Sequence, residues 1–304
     1  MCLFILFCLT NFILQFYLEV LIVNRNILQK LQLFKPGITV NLICLLKSIG
    51  VRKMDYRPHI SIRSLLQAGV HFGHKKNHWN PMMAKYIYGV KNKAHIIDLK
   101  QSTHYLCNAL KVISTVASYK GRVLFVNTKK QSVDIVKNAA EKCGQYYVNH
   151  RWLGGMLTNW TTVSSSIKTL KKYESIISSG EEFYTKKELL DFTRKKEKLN
   201  QAIGGMRNLK RLPDILFIID VKAHAIAIQE AKKLNIPIIA VVDTNSSPKA
   251  VDFVIPGNDD SRKSIELYCN LMSDAILAGT AESANITGAS IKKIKQETKD
   301  QSIH

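Results

Sequence analysis

The chain has 304 residues, and 46% of them are hydrophobic, so it can bury the core of one large domain or of two modest ones. Lys and Arg total 44 against 23 Asp and Glu, a formal net charge of +21 that favours a polyanionic partner, nucleic acid first and an anionic membrane second. The six cysteines form no C-x-x-C pair, which argues against a disulfide scaffold or a cysteine-based zinc site and fits a reducing compartment.

The first 53 residues differ in composition from the rest of the chain. Residues 1–24 are apolar with Glu19 as the only charge, and they are nearly long enough to span a bilayer, which takes about 20 apolar residues. Residues 25–53 carry six basic residues and no acid, as mitochondrial transit peptides do. Three interpretations stay open: a membrane or targeting segment, an organelle-specific extension that packs on partners, or an upstream frame translated ahead of a true start at Met54. We treat residues 1–53 as an extension of uncertain status.

Strand-like and helix-like stretches alternate from Met54 onwards. Apolar runs that predict strands lie at 95–99, 122–128, 145–150, 213–220, 236–245 and 252–259. Amphipathic stretches that predict helices lie at 102–118, 131–144, 224–235 and 261–279, and Gly279 is expected to end the last of them. Solid Ile, Val and Leu strands alternating with helices predict an α/β fold, in which a parallel sheet carries helices on both faces. The body of this fold takes residues 54–160 and 204–283, and a basic tail follows at 284–304.

Residues 161–203 interrupt this alternation. Two helical segments, at 161–178 and 185–203, are joined by the polar turn SSGEEFYT. We interpret them as an antiparallel helical hairpin inserted into the α/β body. Between residues 161 and 211 there are twelve Lys and Arg against six acids, a surplus that suits a groove in RNA or an acidic partner. The alternative for any one of these lysines is a solvated helix face.

The densest polar cluster is AGVHFGHKKNHWNPMM at 68–83, which combines imidazole, ammonium and indole groups. Its candidate RNA-binding residues are His71, His74, Lys75, Lys76, His78 and Trp79. Basic side chains neutralise phosphates and aromatic rings stack on unpaired bases, so this composition favours RNA contact. The His-x2-His-x3-His spacing also permits a zinc site, but neither Cys nor a carboxylate lies nearby to complete four ligands, and we predict no metal. Plain loop packing is the third interpretation.

The segment NHRWLGGMLTNW at 149–160 places Arg151 close to two tryptophans, so a cation lies beside aromatic faces. We take Arg151 as a candidate RNA contact, while burial of Trp152 and Leu153 in the core is an equally good interpretation. The segment is no dinucleotide fingerprint because G-x-G-x-x-G is absent, and no G-x-x-x-x-G-K-[ST] phosphate loop occurs anywhere in the chain. We therefore expect no cofactor.

The segment IGGMRNLKRLPD at 203–214 joins the hairpin back to the sheet. Arg207, Lys210 and Arg211 surround a helix end there. Three cations at one chain connection suit contact with phosphates, so these residues complete the predicted RNA-binding set.

Three aspartates supply the best argument for an enzyme. Asp98, Asp220 and Asp243 each follow a predicted parallel strand, and doubly wound enzymes bind their ligands at the carboxyl ends of such strands. The set lacks a nucleophile–base pair, and aspartate also ends strands or caps helices for purely local reasons. Catalysis is therefore the alternative rather than the prediction.

Taken in chain order, several segments resemble small-subunit ribosomal protein two, the S-two family, in its bacterial and organellar branch. The resemblance is carried by LLQAGVHFGH, WNPMMAKYIYG, HIIDLKQS, GRVLFVNTKKQ, YYVNHRWLGGMLTNW, LPDILFIID, IPIIAVVDTNSSP and VDFVIPGNDDS. These segments fall between residues 60 and 283, and RWLGGMLTN and IPGNDD are too specific to be chance matches. The sequences of these segments are especially similar to those of alphaproteobacterial members, the lineage from which mitochondria derive.

The resemblance implies a flavodoxin-like parallel sheet with an inserted coiled-coil hairpin, and a structural protein without catalytic activity. Its implied partners are small-subunit ribosomal RNA and neighbouring ribosomal proteins, with no small-molecule substrate. A membrane-tethered RNA-binding module, anchored by residues 1–24, is the weaker alternative. Residues 1–53 have no family counterpart, and SIKKIKQETKDQSIH replaces the long, often acidic tail of many bacterial members. These departures and the basic balance favour a mitochondrial ribosome over the bacterial cytoplasm.

Overall fold

The computed structural model describes residues 60–179 and 184–300, with side chains described as far as 283. The interpretations of residues 1–53, and of the side chains of the tail, lie outside these ranges. Among the described residues, no helix combines the length and the apolar character needed to cross a membrane.

The described chain forms two sheets. The smaller sheet consists of β1 (Phe72–Lys75), β2 (Ile87–Lys91) and β3 (Ala94–Ile97). It is antiparallel, in the order β1-β3-β2. The larger sheet consists of β4 (Val123–Val126), β5 (Tyr146–Val148), β6 (Ile215–Ile219), β7 (Ile238–Val242) and β8 (Phe253–Pro256). All of its strands are parallel, in the order β5-β4-β6-β7-β8.

Seven α-helices surround these sheets in the described ranges. They are α1 (Ile62–Gln67), α2 (Leu99–Ser118), α3 (Val133–Lys142), α4 (Trp160–Ser179), α5 (Lys186–Ile203), α6 (Ala225–Lys233) and α7 (Arg262–Asp300). Short 3-10 turns lie at Pro81–Tyr86, Lys130–Ser132, Gly204–Met206 and Pro248–Ala250. The predicted alternation of strands and helices is confirmed for the parallel sheet.

Alternate side chains of each parallel strand enter two different cores, because successive residues of a strand point to opposite faces. Phe125 and Phe217 pack with α2, α3 and α7 on one face, and their rings meet edge to face at 5.5 Å. Leu124 and Leu216 pack on the other face with α6 and the base of the hairpin. Helices on both faces are therefore confirmed, and the strand order, 2-1-3-4-5 counted from β4, is that of flavodoxin-like folds.

The strand predicted at 95–99 belongs to the small antiparallel sheet. Asn92 and Lys93 both adopt positive φ angles, 51° and 62°, and this turn folds β3 back on β2 as a hairpin. The interpretation of Asp98 as the end of a parallel strand is therefore wrong. Asp98 instead caps α2, because its carboxylate accepts a hydrogen bond from the backbone N–H of Lys100 at 2.9 Å.

Gly279 does not end the last helix, contrary to the expectation from its sequence position. Helix α7 continues through it to Asp300. A Cβ atom at Gly279 would lie 2.2 Å from the carbonyl oxygen of Ser114 in α2. The glycine thus allows two helices to approach closely, and the boundary expected at residue 283 is not a break in secondary structure.

Helices α4 and α5 form the predicted hairpin and begin and end within one residue of the predicted positions. Tyr173 and Phe192 stack across it with ring centroids 5.7 Å apart. Thr185 and Glu188 form a capping box at the start of α5, which fixes where that helix begins. At the base, Ile167 packs into the core beneath the sheet, so the hairpin is anchored on the body.

Candidate nucleic-acid interface

The carboxyl ends of the parallel strands carry an internal ion-pair network. Lys129 follows β4, Asp220 follows β6, and Asp259 and Asp260 follow β8. The Nζ of Lys129 lies 3.1 Å from Oδ2 of Asp220, 2.8 Å from Oδ1 of Asp259 and 2.7 Å from Oδ1 of Asp260. One ammonium group therefore neutralises acids from two strand ends across the sheet.

Burial and this shared cation shift the pKa values of the network. Burial raises the pKa of Asp259 to about 7, because it disfavours the charged carboxylate. The Lys129 ammonium opposes this shift, and the charges of Asp220 and Asp243 add to it. Burial opposes the charge of Lys129 as well, but the surrounding carboxylates outweigh it and raise the pKa of Lys129. For the more exposed Asp260, the Lys129 ammonium outweighs burial and lowers the pKa.

His74 joins this network from β1. Its Nδ1 lies 2.7 Å from Oδ2 of Asp243, and its Nε2 lies 3.0 Å from Nδ2 of Asn245. Its backbone N–H donates to Oγ1 of Thr244 at 2.9 Å. The hydrogen bond to Asp243 outweighs burial and raises the pKa of His74. The ring of His74 is thus engaged inside the fold.

His74, Asp243 and Asp260 are also the residues that could hold a cation. Their ligand atoms all lie within 4.8 Å of one another. Among the described residues, this is the group that meets such spacing, and the three histidines at 71, 74 and 78 do not form one. Structure therefore brings together one histidine and two distant acids, which sequence spacing could not show.

The network fills the edge of the sheet where doubly wound enzymes bind ligands. Asp220 and Asp243, singled out as candidate catalytic residues, are paired with Lys129 and His74 respectively. Strand β1 lies directly over this edge, since a Cβ atom at Gly73 would be 2.7 Å from Cγ2 of Thr244. These acids act as internal counter-ions for neighbouring elements.

The rest of the 68–83 cluster faces outward. Lys75, Lys76 and His78 are exposed. Trp79 is 41% exposed, and its ring lies 5.3 Å from that of His95. His71 is half-buried with its ring against Phe72, and burial lowers the pKa of His71. Among these six predicted residues, Lys75, Lys76, His78 and Trp79 are thus exposed. His71 and His74 are half-buried, and the hydrogen bonds of His74 hold β1 against the strand ends.

Arg151 is exposed at the start of a loop that one buried acid organises. Oε1 of Glu230 accepts hydrogen bonds from Trp152 Nε1 at 3.2 Å and from the backbone N–H of Gly155 at 2.8 Å. Oε2 accepts from the backbone N–H groups of Leu157 at 3.0 Å and Thr158 at 3.1 Å. Burial opposes the charge, but these donors outweigh it and lower the pKa of Glu230.

Sequence reasoning missed Glu230. The sequence does contain one sign of its role: this acid lies on the apolar face of α6, close to the buried Ala227 and Ala231. Trp152 is buried and Leu153 is exposed, so the core interpretation of this pair holds for Trp152 alone.

Arg207, Lys210 and Arg211 are exposed at the base of the hairpin. Nη2 of Arg207 lies 2.9 Å from Oε2 of Glu174 in α4, which fixes its direction. The carbonyl of Arg211 accepts a hydrogen bond from Arg122, the residue before β4. These three cations therefore lie toward the amino ends of the parallel strands, whereas His74 lies at the carboxyl ends. The predicted residues occupy separate regions of the surface.

Comparison with known proteins identifies a family and close relatives for this chain. The family model "Ribosomal protein S2" matches residues 65–279. The small ribosomal subunit protein uS2 of Wolbachia sp. subsp. Drosophila simulans (strain wRi) is 55% identical over 244 residues, covering 80% of this chain and 86% of the relative. The uS2 protein of Rickettsia canadensis (strain McKiel) is 54% identical over 247 residues, covering 81% of this chain and 84% of the relative. The chain belongs to the ribosomal protein S2 family.

Proposed function

We propose that the chain is a structural constituent of the small ribosomal subunit, where it binds ribosomal RNA and neighbouring ribosomal proteins during translation. The observation that carries this proposal is the identity of 55% to a small ribosomal subunit protein over 80% of the chain. The net charge of +21 supports a polyphosphate partner. Family membership favours this role over the enzyme alternative, and the pairing of the strand-end acids with Lys129 and His74 agrees with it.

The RNA contacts we propose are the exposed members of the predicted set. They are Lys75, Lys76, His78, Trp79, Arg151, Arg207, Lys210 and Arg211. Their side chains can neutralise phosphates or stack on unpaired bases. His74 supports this surface from within, because its hydrogen bonds position β1, the strand that ends at Lys75.

The body and the hairpin have different parts in this proposal. Residues 54–160 and 204–283 form the ribosomal body, and residues 161–203 form an arm whose cationic surplus reaches RNA or an acidic neighbour. The rings stacked between α4 and α5 support this division, because they keep the arm a single unit.

The compartment we propose is the mitochondrial matrix, with the bacterial cytoplasm as the alternative. The Rickettsia and Wolbachia relatives are alphaproteobacterial, and the basic, acid-free stretch at 25–53 resembles an organelle-targeting segment. Mass spectrometry of the N-terminal peptide of the native protein, with fractionation of its source cells, tests this. A native protein that begins at Met54 in a bacterial cytoplasm would rule out the mitochondrial assignment.

Sedimentation of native particles tests the ribosomal role itself. We expect the chain to co-sediment with small subunits and to dissociate as salt is raised, because added counterions weaken phosphate contacts. Its absence from such particles, together with turnover of a small molecule by the purified chain, would contradict the proposal.

A further inference from the structure

A polar cleft opens at the outer edge of β5. Helix α3 and the end of α5 flank it, and its cavity volume is about 580 Å³. Sites for small ligands have volumes of about 300–1,000 Å³, so the cleft is large enough to hold one. The cleft lies away from the strand-end network. Arg207 is the one member of the predicted RNA-binding set that lines it.

Side-chain amides dominate the wall of this cleft. Asn149, Asn200, Gln201 and Asn208 all line it. A carboxamide can offer both hydrogen-bond donors and an acceptor. Asn149 is buried and donates to the carbonyl of Val133, so the exposed amides open to a ligand are those of Asn200, Gln201 and Asn208. A free phosphate or a metal ion would use only one half of each group, whereas the edge of a nucleobase presents donors and acceptors together.

Two tyrosines and two cations complete the lining. Tyr146 and Tyr147 are half-buried, so part of each ring is available to the cleft. Their hydroxyls are held at 3.4 Å from the carbonyl of Asn208 and at 3.3 Å from Oε1 of Glu141. Arg207 and Lys137 line the cleft together with the acid Glu141, and Arg207 also pairs with Glu174. The two cations lie where the phosphates of an entering nucleotide would need positive charge.

The same wall disfavours an added peptide strand. The turn after α5 packs on the free edge of β5, and a Cβ atom at Gly205 would lie 2.1 Å from the carbonyl oxygen of Tyr147. An extended peptide that pairs with a sheet edge needs that carbonyl as an acceptor. The backbone at Gly205 occupies the space such a strand would use.

We propose that this cleft binds one unpaired nucleotide of RNA, with the base among the carboxamides and the phosphates toward Arg207 and Lys137. The inference rests on the proposed ribosomal function and names the RNA feature that this part of the chain recognises. Proteins that read RNA sequence usually take bases that are splayed out of the helix, because the deep groove of duplex RNA hides them.

Binding of a labelled single-stranded hexanucleotide of mixed sequence to the purified full-length chain tests this, with a short RNA duplex for comparison. The blocking variant is Asn208→Trp, which places an indole at the exposed wall without changing charge. Its matched control is Asn138→Trp, at an exposed position of α3 outside the cleft. Circular dichroism and the thermal midpoint of each variant report whether it is folded.

We expect N208W to bind the hexanucleotide about tenfold more weakly than wild type, while N138W and duplex binding change by less than about twofold. If N208W fails to fold, Gln201→Glu at an exposed position of α5 replaces it. It should weaken single-strand binding, because the carboxylate offers the base no hydrogen-bond donor and adds a negative charge to the cleft. Ultraviolet crosslinking should attach a nucleotide to the peptide that contains Tyr146 and Tyr147.

Unchanged hexanucleotide affinity in a folded N208W or Q201E variant would overturn the proposal, as would crosslinks confined to other peptides. Failure of the ribosomal role would show itself differently, as absence of the wild-type chain from small subunits. The two failures are therefore distinguishable.

Discussion

The indole Nε1 of Trp152 donates a hydrogen bond to Oε1 of Glu230 at 3.2 Å, joining the loop after β5 to helix α6. The carboxylate also receives three backbone N–H groups from the same loop, including that of Gly155 at 2.8 Å. A single buried acid thus fixes the path of the RWLGGMLTN segment. Arg151 is the first residue of this segment, and its side chain is exposed.

Glu230→Gln should lower the free energy of unfolding by about 2–4 kcal/mol, because the new amide group faces N–H donors and leaves them poorly satisfied. Urea denaturation measures the change. Glu197→Gln, at an exposed position of α5, is the matched control and should cost less than about 0.5 kcal/mol. Equal losses in both variants would contradict the assigned role of Glu230.

Lys129→Met should destabilise the fold by about 3–5 kcal/mol, because it leaves three carboxylates facing one another without a cation. Lys130→Met changes the exposed neighbour and serves as the control. Part of the stability of the Lys129 variant should return as the pH is lowered, since a carboxyl group such as Asp259, whose pKa is already raised to about 7, then loses its charge. Unfolding titrations over a pH series test both points. Stability that falls on acidification would show that the acids are not repelling one another.

The His74–Asp243 pair should make stability depend on pH in a defined direction. The folded protein holds the His74 proton more tightly than the unfolded chain, because the pKa of His74 is raised above 6.5. The pair therefore stabilises the fold below that value, and the stabilisation disappears as the pH rises through the folded pKa. His74→Gln should remove about 1–3 kcal/mol at low pH and less at high pH. In an Asp243→Asn background, this pH dependence of the His74→Gln effect should become much smaller, with a remainder from Asp260, whose Oδ2 lies 3.4 Å from Nε2 of His74. A pH dependence as large as in wild type would contradict the assigned role of Asp243.

Two interpretations of Gly279 predict changes of opposite sign in the free energy of unfolding when this glycine is replaced by alanine. If Gly279 were an ordinary helical position, alanine would stabilise α7 by about 1 kcal/mol. The contact with the Ser114 carbonyl predicts instead a loss of about 1–3 kcal/mol, because an added methyl group forces α7 away from α2. Gly154→Ala, where a Cβ would meet open space, is the control. Thermal and urea unfolding both report the sign.

Neutralising the base of the hairpin should weaken RNA binding in a salt-dependent way. The triple variant Arg207→Gln, Lys210→Gln and Arg211→Gln should lower the slope of log K against log salt concentration by about 2–3, close to 0.9 for each phosphate contact removed. The control replaces three exposed lysines near α6, Lys222, Lys232 and Lys233, by glutamine. Filter binding to small-subunit ribosomal RNA at several salt concentrations gives both slopes. Equal slopes for the two triple variants would show that total charge, and not this surface, sets the affinity.

The strands of the parallel sheet could be predicted because their signal is local. The run PDILFIID contains β6, all of whose residues are buried, and no alternation with polar residues disturbs it. In the small sheet only β3 gave such a signal. Strand β1 gave none, since it consists of Phe72, Gly73, His74 and Lys75, and its pairing with β3, about twenty residues further on, is not a local feature. The path of α7 beyond Gly279 depends on helix α2, which no inspection of α7 alone reveals.

The residues of the candidate site likewise include some that the sequence predicts and some that it does not. Exposed cations such as Lys75 and Arg207 could be predicted from the charge pattern, because lysine and arginine side chains are rarely buried. Lys129 could not be singled out, since the acids that hold it lie about 90 to 130 positions away and nothing next to it signals an ion pair. The carboxamide cleft was missed because α3 and β5, which are neighbours in the chain, meet the end of α5 about fifty residues further on.

The placement of acids inside the strand-end network has a consequence for how the protein meets its partner. Asp243 and Asp259 are each only 1% exposed, so their negative charge is offset by neighbours and adds little to the potential outside. Because the acids and the cations of this network offset one another at short range, an approaching polyanion is attracted chiefly by exposed cations outside it, such as Lys75 and Lys76. Long-range attraction of this kind accelerates encounter at low ionic strength.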